Sequence, residues 1–233
     1  MDNSQAEHTL PELAVRWLGS MEYREAWLLQ QDLAAQRLEG KIGDTILLLE
    51  HPPTLTLGRK AQPEHLLVTP EQLAAAKIDL LEVDRGGDIT YHGPGQLVGY
   101  PILNLREPPH KADLHVYLRD LEETLIRALA AFGVASDRFA GYTGVWTQTE
   151  TSAPRKIAAI GVKSSRWITS HGFALNVCPD LAHFDLIVPC GIRDYGVTSL
   201  TQELGQPVTV AEVLPHVTAA FREVFGYSKN NNK

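Results

Sequence analysis

The sequence has little of what marks secreted, membrane-spanning or nucleic-acid-binding proteins. Its 233 residues include only two cysteines, Cys178 and Cys190, too few for a disulfide framework and typical of a reducing compartment. The longest purely aliphatic run, residues 46–49, is far shorter than the roughly 20 residues that cross a bilayer. A net charge of −7 argues against generic nucleic-acid binding, which needs a basic surface. We therefore expect a cytoplasmic protein that binds neither membrane nor nucleic acid.

Caps and periodicity predict an α+β protein. Apolar residues make up 44% and charged residues 21% of the chain, as in ordinary globular proteins. Helical spacing and capping boxes predict helices over residues 23–38, 69–77, 113–132 and 209–225, the last with a kink or a later start at Pro215. Strand patterns cover residues 45–50, 54–57, 81–83, 89–91, 97–103, 145–147, 157–162 and 172–177. Because helices and strands do not alternate strictly, we expect a mixed or antiparallel sheet.

A glycine-rich stretch at residues 85–100 stands out, with five glycines in sixteen residues. Glycine within strands marks a bulge or a close approach of a ligand to the backbone. The stretch is equally consistent with a hairpin that turns at Gly93, Pro94 and Gly95. It does not match the G-x-G-x-x-G fingerprint, and the chain has no G-x-x-x-x-G-K-[ST] loop. The common nucleotide-binding motifs are therefore missing.

Two further residues are candidates for chemistry. Lys156 begins a strand of small apolar residues, where an ammonium group can lose part of its hydration, although a solvated lysine at a strand edge is the commoner case. A lone cysteine is most often a small buried hydrophobic residue. Cys190, however, lies between proline and glycine after an apolar run, and a cysteine in such a turn is more exposed than one inside a strand, as a nucleophile needs to be. A zinc site built from His171, Cys178, His183 and Cys190 is an alternative, but their spacing does not follow structural zinc motifs.

Taken in order, these segments resemble the octanoyltransferases, the lipoyl/octanoyl transferases that begin lipoic acid attachment. Residues 85–101 (RGGDITYHGPGQLVGYP) are similar to the family's signature strand and turn, and residues 156–161 (KIAAIG) to its lysine strand. Residues 171–176 (HGFALN), 188–192 (VPCGI) and 197–200 (VTSL) are similar to its acyl pocket and nucleophile loop. The resemblance extends from about residue 23 to residue 225, and the 34 positions between Lys156 and Cys190 agree with the family pattern.

The resemblance implies a fold and an activity. The fold is α+β, with a mixed or antiparallel sheet flanked by helices, as in biotin and lipoate protein ligases (class II synthetase-like). A single catalytic domain would span residues 21–227, between an N-terminal extension with a first strand (residues 1–20) and a disordered tail (residues 228–233). The activity is transfer of octanoyl from octanoyl-acyl carrier protein to a lysine of lipoyl domains, those of 2-oxoacid dehydrogenase E2 subunits and the glycine-cleavage H protein. The expected enzyme is a monomer without metal or other cofactor.

The resemblance also suggests roles for single residues. Cys190 would attack the thioester, and Lys156 would protonate the departing thiol and later deprotonate the acceptor lysine. A thioester is already activated, which fits the missing nucleotide motifs. His171 and His92 would orient the thioester or hold the pocket backbone, with a structural role favoured for His171. The substrate would be lined by Arg85, Gly86, Gly87, Asp88, Ile89, Thr90, Tyr91, His92, Ala159, Ile160, Gly161, Gly172, Phe173 and Ala174.

Partner binding and two other functions complete the expectations. Because carrier proteins and lipoyl domains tend to be acidic, we expect a local basic rim drawn from Arg59, Lys60, Arg155, Lys163, Arg166 and Arg193. An ATP-dependent lipoate or biotin ligase on the same fold is the nearest alternative function, and it would need no cysteine. A non-catalytic module that binds lipoyl domains is the second alternative.

Overall fold

The computed structural model describes residues 11–151, 153–188 and 195–228, so Cys190, Arg193 and most of the expected tail lie outside the described residues. The strands are β1 (Ala14–Ser20), β2 (Thr45–Glu50), β3 (Thr54–Leu57), β4 (Asp79–Glu82), β5 (Ile89–His92), β6 (Gln96–Ile102), β7 (Ser136–Phe139), β8 (Tyr142–Thr147), β9 (Arg155–Ser165), β10 (Ile168–Asn176) and β11 (Gly196–Val197). The helices are α1 (Tyr23–Leu38), α2 (Pro70–Ala76), α3 (Leu114–Ala130), α4 (Leu200–Leu204) and α5 (Val210–Phe225), with 3₁₀ turns at Pro63–His65 and Leu181–Leu186. The predicted α+β class is confirmed.

The helices begin where local caps satisfy their first backbone N–H groups. Thr69 and Gln72 form a reciprocal capping box ahead of α2, and Asp113 accepts hydrogen bonds from two N–H groups of the first turn of α3. A second capping box at Thr209 starts α5 at Val210. Pro215 therefore lies inside this helix, and the expectation of a later start is wrong. Such caps contribute about 1 kcal/mol each, which is why they fix helix starts locally.

Two sheets carry the fold. The larger sheet has the order β1-β2-β6-β10-β9-β8-β7, and β11 pairs with the first residues of β9. Its pairs are antiparallel except for β1 with β2 and β9 with β11. The smaller sheet has the order β4-β3-β5. The mixed character expected from sequence is confirmed, and β1 supplies the first strand expected within residues 1–20.

Both faces of the large sheet are covered by helices. Side chains of β2 alternate between the two faces: Ile46 and Leu48 join a cluster with α3 and α5, whereas Leu47 and Leu49 join one with α1. Burial on both faces explains why β2 is an unbroken apolar run. A third cluster packs α2 against the small sheet. Among the described residues, no helix is long and apolar enough to span a membrane.

The glycine-rich stretch is not a hairpin, so that reading of the sequence is wrong. Strand β5 pairs with β3 in the small sheet, whereas β6 pairs with β2 and β10 in the large one. The turn at residues 93–95 therefore carries the chain from one sheet to the other. A Cβ at Gly95 would lie 2.5 Å from the Cys178 carbonyl oxygen, so the crossing requires glycine there.

Candidate active site

A narrow cavity, about 440 Å³ including the open space at its mouth, lies where the two sheets meet. Its walls come from the glycine-rich loop, β5, β9 and β10, as the sequence predicted. The predicted lining residues that it brings together are Arg85, Gly87, Asp88, Thr90, His92, Ala159, Ile160, Gly161, Gly172, Phe173 and Ala174. His171, expected as an auxiliary residue, also lies in its wall. Tyr23 of α1 and Tyr100 of β6 complete the wall. Neither tyrosine was among the candidates. Tyr23 lies far along the chain from the glycine-rich stretch, and Tyr100 lies at the end of that stretch.

Three of the predicted lining residues lie elsewhere. Ile89 and Tyr91 point away from the cavity into the cluster beneath the small sheet, because alternate side chains of a strand face opposite sides. The hydroxyl of Tyr91 hydrogen-bonds to His183 Nδ1 at 2.8 Å, and burial raises the pKa of this phenol to about 12. Gly86 lines a neighbouring groove rather than the cavity. Ile89 and Tyr91 are therefore supporting residues.

Arg85 fastens the glycine-rich loop to the small sheet. Its guanidinium donates hydrogen bonds to the hydroxyl and the carbonyl oxygen of Thr56 and to the carbonyl oxygen of Gly86. The Gly86 N–H donates to Val162 of β9 at 2.9 Å. A Cβ at Gly161 would lie 2.9 Å from the Gly86 carbonyl oxygen. The loop can thus lie directly on β9 only because both positions lack a side chain.

The tautomer of His92 is fixed by a chain of buried amides. Gln96 donates both amide hydrogens, to the Tyr91 carbonyl oxygen and to Asn176 Oδ1. Its Oε1 therefore accepts from His92 Nδ1 at 2.8 Å. His92 Nε2 is left as a bare acceptor with no hydrogen-bond partner among the described residues. Burial first, then the charges of neighbouring groups, hold the pKa of His92 well below its usual value, so the ring is neutral.

A second neutral imidazole supports the cavity wall. His51 Nδ1 donates to the Met21 carbonyl oxygen, and its Nε2 accepts from the Tyr100 hydroxyl, each at 2.7 Å. Burial lowers the pKa of His51 to about 4 and raises that of Tyr100 well above its usual value. Near neutral pH both His51 and Tyr100 are therefore uncharged.

His171 links the cavity to an ion pair. Its Nε2 donates to Asp84 Oδ1 at 2.9 Å, and Asp84 also pairs with Lys163. Burial alone would raise the pKa of Asp84, but the hydrogen bonds from these two partners lower it. The His171 backbone has a φ of +55°, and its N–H donates to Gln30 of α1 at 2.7 Å. Strand pairing in β10, the hydrogen bond to α1 and the contact with the Asp84–Lys163 ion pair therefore fix the position of His171.

Lys156 lies in the adjoining groove, whose volume is about 1230 Å³. The groove shares Gly87, Asp88, Ile160 and Gly161 with the cavity. The backbone of Lys156 is held between β8 and β11. Its ammonium lies 4.8 Å from the ring centroid of Trp146, and the residue is 8% exposed. Lys156 is therefore buried rather than solvated at a strand edge, the commoner case that the sequence left open.

The described residues on either side of Cys190 border the same groove. Val188 N–H donates to the carbonyl oxygen of His65, a groove residue, at 2.8 Å. On the other side, the ring of Tyr195 packs edge-on against Tyr142 and Trp146, with centroid distances of 5.6 and 5.9 Å. Tyr142 is also a groove residue. The chain on both sides of residues 189–194 therefore reaches the walls around Lys156.

The described residues of the predicted basic rim lie in several places and Arg193 lies outside the described residues, so the rim stays a prediction. Arg155 begins β9 and Arg166 directly follows its last residue, so the two are about 36 Å apart at strand spacing. Arg155 pairs with Glu203 at 2.8 Å, and Lys163 pairs with Asp84. Of the five rim residues within the described chain, Lys60 lines the groove with Lys156. Arg59 lies in a separate pocket beside Glu82.

The described residues of the alternative zinc site lie in different parts of the structure. His171 bonds to Asp84, His183 bonds to Tyr91, and Cys178 is an exposed free thiol. In the part of the chain that the structure describes, no three His, Cys, Asp or Glu side chains converge as a metal site would require. Nothing in this geometry favours a metal.

Comparison with known proteins shows the family of this chain. The family model for the lipoyl protein ligase A/B catalytic domain matches residues 22–222. An octanoyltransferase of Chloroflexus aurantiacus is 54% identical over 214 residues, which cover 91% of this chain and 94% of that protein. An octanoyltransferase of Rubrobacter xylanophilus is 52% identical over 225 residues, which cover 95% of this chain and 98% of that protein.

Solved structures add evidence on the fold alone. A bi-partite lipoate protein ligase from Thermoplasma acidophilum superposes with a TM-score of 0.70 at 15% identity, covering 97% of this chain and 87% of that one. A biotin protein ligase from Aquifex aeolicus gives a TM-score of 0.55 at 17% identity, covering 91% and 70%. The predicted ligase-like fold is confirmed. With the family match and the identities above, the chain belongs to the octanoyltransferases of the lipoyl protein ligase A/B catalytic-domain family, and it is an acyltransferase.

Proposed function

We propose that this enzyme transfers an octanoyl group from octanoyl-acyl carrier protein to a lysine of lipoyl domains through a thioester on Cys190. The supporting observation is the position of Lys156, desolvated in a groove that continues into a narrow cavity. The chain on either side of Cys190 borders that groove. The acceptors would be E2 lipoyl domains and the glycine-cleavage H protein, and the enzyme would act in the cytoplasm as a monomer.

The cavity suits an uncharged acyl chain. Its wall includes small residues at positions 159, 161, 172 and 174, which leave room for a chain, and the ring of Phe173. The imidazoles around it are neutral because burial lowers their pKa values. Each buried methylene contributes about 0.8 kcal/mol. The depth of the cavity would therefore select the chain length.

In the first half-reaction, the Cys190 thiolate attacks the carbonyl carbon of the octanoyl thioester. An ordinary cysteine thiol is only a few per cent ionised at neutral pH, and a nearby ammonium stabilises the thiolate. The bond from the carbonyl carbon to the pantetheine sulfur breaks, and Lys156 gives that sulfur a proton. The products are octanoyl-Cys190, a neutral Lys156 amine and free carrier protein. No nucleotide is consumed, because the thioester supplies the driving force.

In the second half-reaction, the acceptor lysine attacks the octanoyl carbonyl carbon. Lys156 takes a proton from the acceptor ammonium, which makes its nitrogen nucleophilic. As the new amide bond forms, the acceptor nitrogen loses its second proton to a further base or to solvent, and the bond from the carbonyl carbon to the Cys190 sulfur breaks and restores the thiolate. The groove, wider than the cavity, would give the acceptor side chain its access.

The experiment is intact-protein mass spectrometry after mixing with octanoyl-acyl carrier protein in the absence of ATP. Cys190→Ser is compared with Cys178→Ser as a control. Cys178 is an exposed free cysteine, and partial desolvation together with the charge of Glu50 raises the pKa of its thiol. We expect one hydroxylamine-labile octanoyl group on the wild type and on Cys178→Ser, and none on Cys190→Ser. Transfer by Cys190→Ser at the wild-type rate would refute the proposal.

The same experiment separates the alternatives. Acyl transfer only after addition of ATP and free octanoate would identify a ligase that makes an acyl-adenylate. Tight binding of carrier protein or lipoyl domain without any acyl transfer would identify a binding module. Stoichiometric zinc in the purified protein would revive the metal site.

A further inference from the structure

The groove beside Lys156 contains a histidine that the two half-reactions above do not use. His65 ends the 3₁₀ turn at Pro63–His65, and its Nδ1 lies 2.5 Å from Asp88 Oδ2. The other carboxylate oxygen of Asp88 accepts the Ile89 N–H at 2.7 Å. A carboxylate only accepts hydrogen bonds, so His65 Nδ1 donates to Asp88, and in the neutral imidazole the lone pair lies on Nε2. Asp88 therefore orients the imidazole so that Nε2 is the nitrogen that can accept a proton.

His65 is also placed next to the segment that contains Cys190. Its carbonyl oxygen accepts the Val188 N–H at 2.8 Å, and Leu66 forms a bridge with Ile187. The ionisable side chains that line the groove, within the described chain, are Lys60, His65, Asp88, Tyr142 and Lys156. His65 is the one imidazole among them, the side chain suited to exchanging protons near neutral pH. Its side chain is 19% exposed, so a proton can pass on to solvent.

Proton balance in the second half-reaction calls for such a base. The nitrogen of the acceptor ammonium carries three protons and that of the product amide carries one, so two protons must leave. Lys156 takes one and returns to the ammonium form in which it began the cycle. Neither Lys156 nor Cys190 can keep the second proton, because Lys156 is already an ammonium and Cys190 must return to the thiolate. One proton per turnover must therefore pass to another group or to solvent.

We propose that His65, positioned by Asp88, accepts this second proton at Nε2 as the acceptor nitrogen bonds to the octanoyl carbon. The bond from that carbon to the Cys190 sulfur breaks, its electron pair stays on the sulfur, and His65 releases the proton to solvent. This role rests on the proposed function. It assigns His65 to the transfer to lysine alone, because the first half-reaction begins and ends without a surplus proton.

The test measures the two half-reactions separately with His65→Ala. Rapid mixing with octanoyl-acyl carrier protein gives the acylation rate, and mixing the isolated acyl-enzyme with lipoyl domain gives the transfer rate. We expect acylation within about twofold of the wild type and transfer slowed by about 10²-fold, the contribution of a general base. Added imidazole should restore transfer in His65→Ala. Asp88→Asn should slow transfer by about tenfold or more, because the amide can favour the wrong tautomer.

The control is His115→Ala, at an exposed position in the first turn of α3, which should leave both rates unchanged. Equal loss of both half-reactions in His65→Ala without imidazole rescue would show a structural role and overturn the inference. Transfer at the wild-type rate in His65→Ala would refute the inference alone. Absence of an acyl-enzyme in the wild type would instead refute the proposed function, and the role of His65 would fall with it.

Discussion

The ring of Phe173 lies over Gly99 and also lines the cavity. A substitution at Gly99 can therefore test whether the length of the cavity selects the acyl chain. The two residues face each other across the β6–β10 pair. A Cβ at Gly99 would come within 2.2 Å of Phe173 Cζ and 2.4 Å of Cε1, whereas carbon atoms in good contact are about 3.5–4.0 Å apart. Gly99→Ala therefore displaces the ring by about 1.3 Å or more. The interior around it is close-packed, so the open space for this movement is the cavity that Phe173 lines.

A displacement of this size is about the length of one methylene group in an extended chain. Excluding one methylene from the cavity costs about 0.8 kcal/mol, which corresponds to about a fourfold change in rate. We expect Gly99→Ala to lower kcat/KM for octanoyl-acyl carrier protein about fourfold relative to the hexanoyl substrate. Overpacking should also lower the free energy of unfolding by about 1–3 kcal/mol.

The assay is a series of acyl-carrier-protein substrates from hexanoyl to decanoyl, combined with urea denaturation. The double variant Gly99→Ala/Phe173→Leu supplies the control, because leucine lacks Cζ and both Cε atoms of the ring. We expect it to recover stability relative to Gly99→Ala and to restore the longer substrates. An equal loss of activity at every chain length, or no recovery in the double variant, would refute the reasoning.

Three other changes have expected outcomes. Burial alone would raise the pKa of Asp44, but hydrogen bonds from His110, Arg37 and the Asn104 N–H, together with the charge of Arg37, lower it from 3.8 to about 2. Asp44→Asn should therefore lower the free energy of unfolding by about 2 kcal/mol at pH 7. Since the folded pKa is depressed, the difference from wild type should shrink as urea titrations go from pH 4 to pH 2. Lys60→Glu should slow association with acidic acyl carrier protein and weaken its salt dependence in stopped-flow measurements, whereas Lys41→Glu, an exposed lysine paired with Glu39, should not. Arg166 is exposed and has a φ of +52° in the β9–β10 turn, a conformation that asparagine tolerates better than arginine. Arg166→Asn should therefore raise the melting temperature by about 2 °C. An unchanged or lower melting temperature would contradict this.

Features that depend on neighbouring residues were predictable from sequence. The bounds of α1, β2 and β3 agree with the predicted ones, and the caps at Thr69, Asp113 and Thr209 mark helix starts. Such signals need only a few adjacent residues, since a capping box spans one helical turn. Strand β7 was missed because its four residues, Ser136–Phe139, are short and largely polar. Strand β11 has only two residues, too few for a pattern.

The sequence by itself determined the fold class, the family and most of the cavity lining, because these depend on motifs whose residues stay together in the chain. The tertiary structure alone decided which strand faces line the cavity, so Thr90 and His92 face it while Ile89 and Tyr91 do not. It also decided that β5 and β6 belong to different sheets, because strand pairing is set by contacts distant in sequence. The His65–Asp88 pair, 23 positions apart, has the same origin. Side chains so far apart in sequence become partners only when packing brings their strands and turns together.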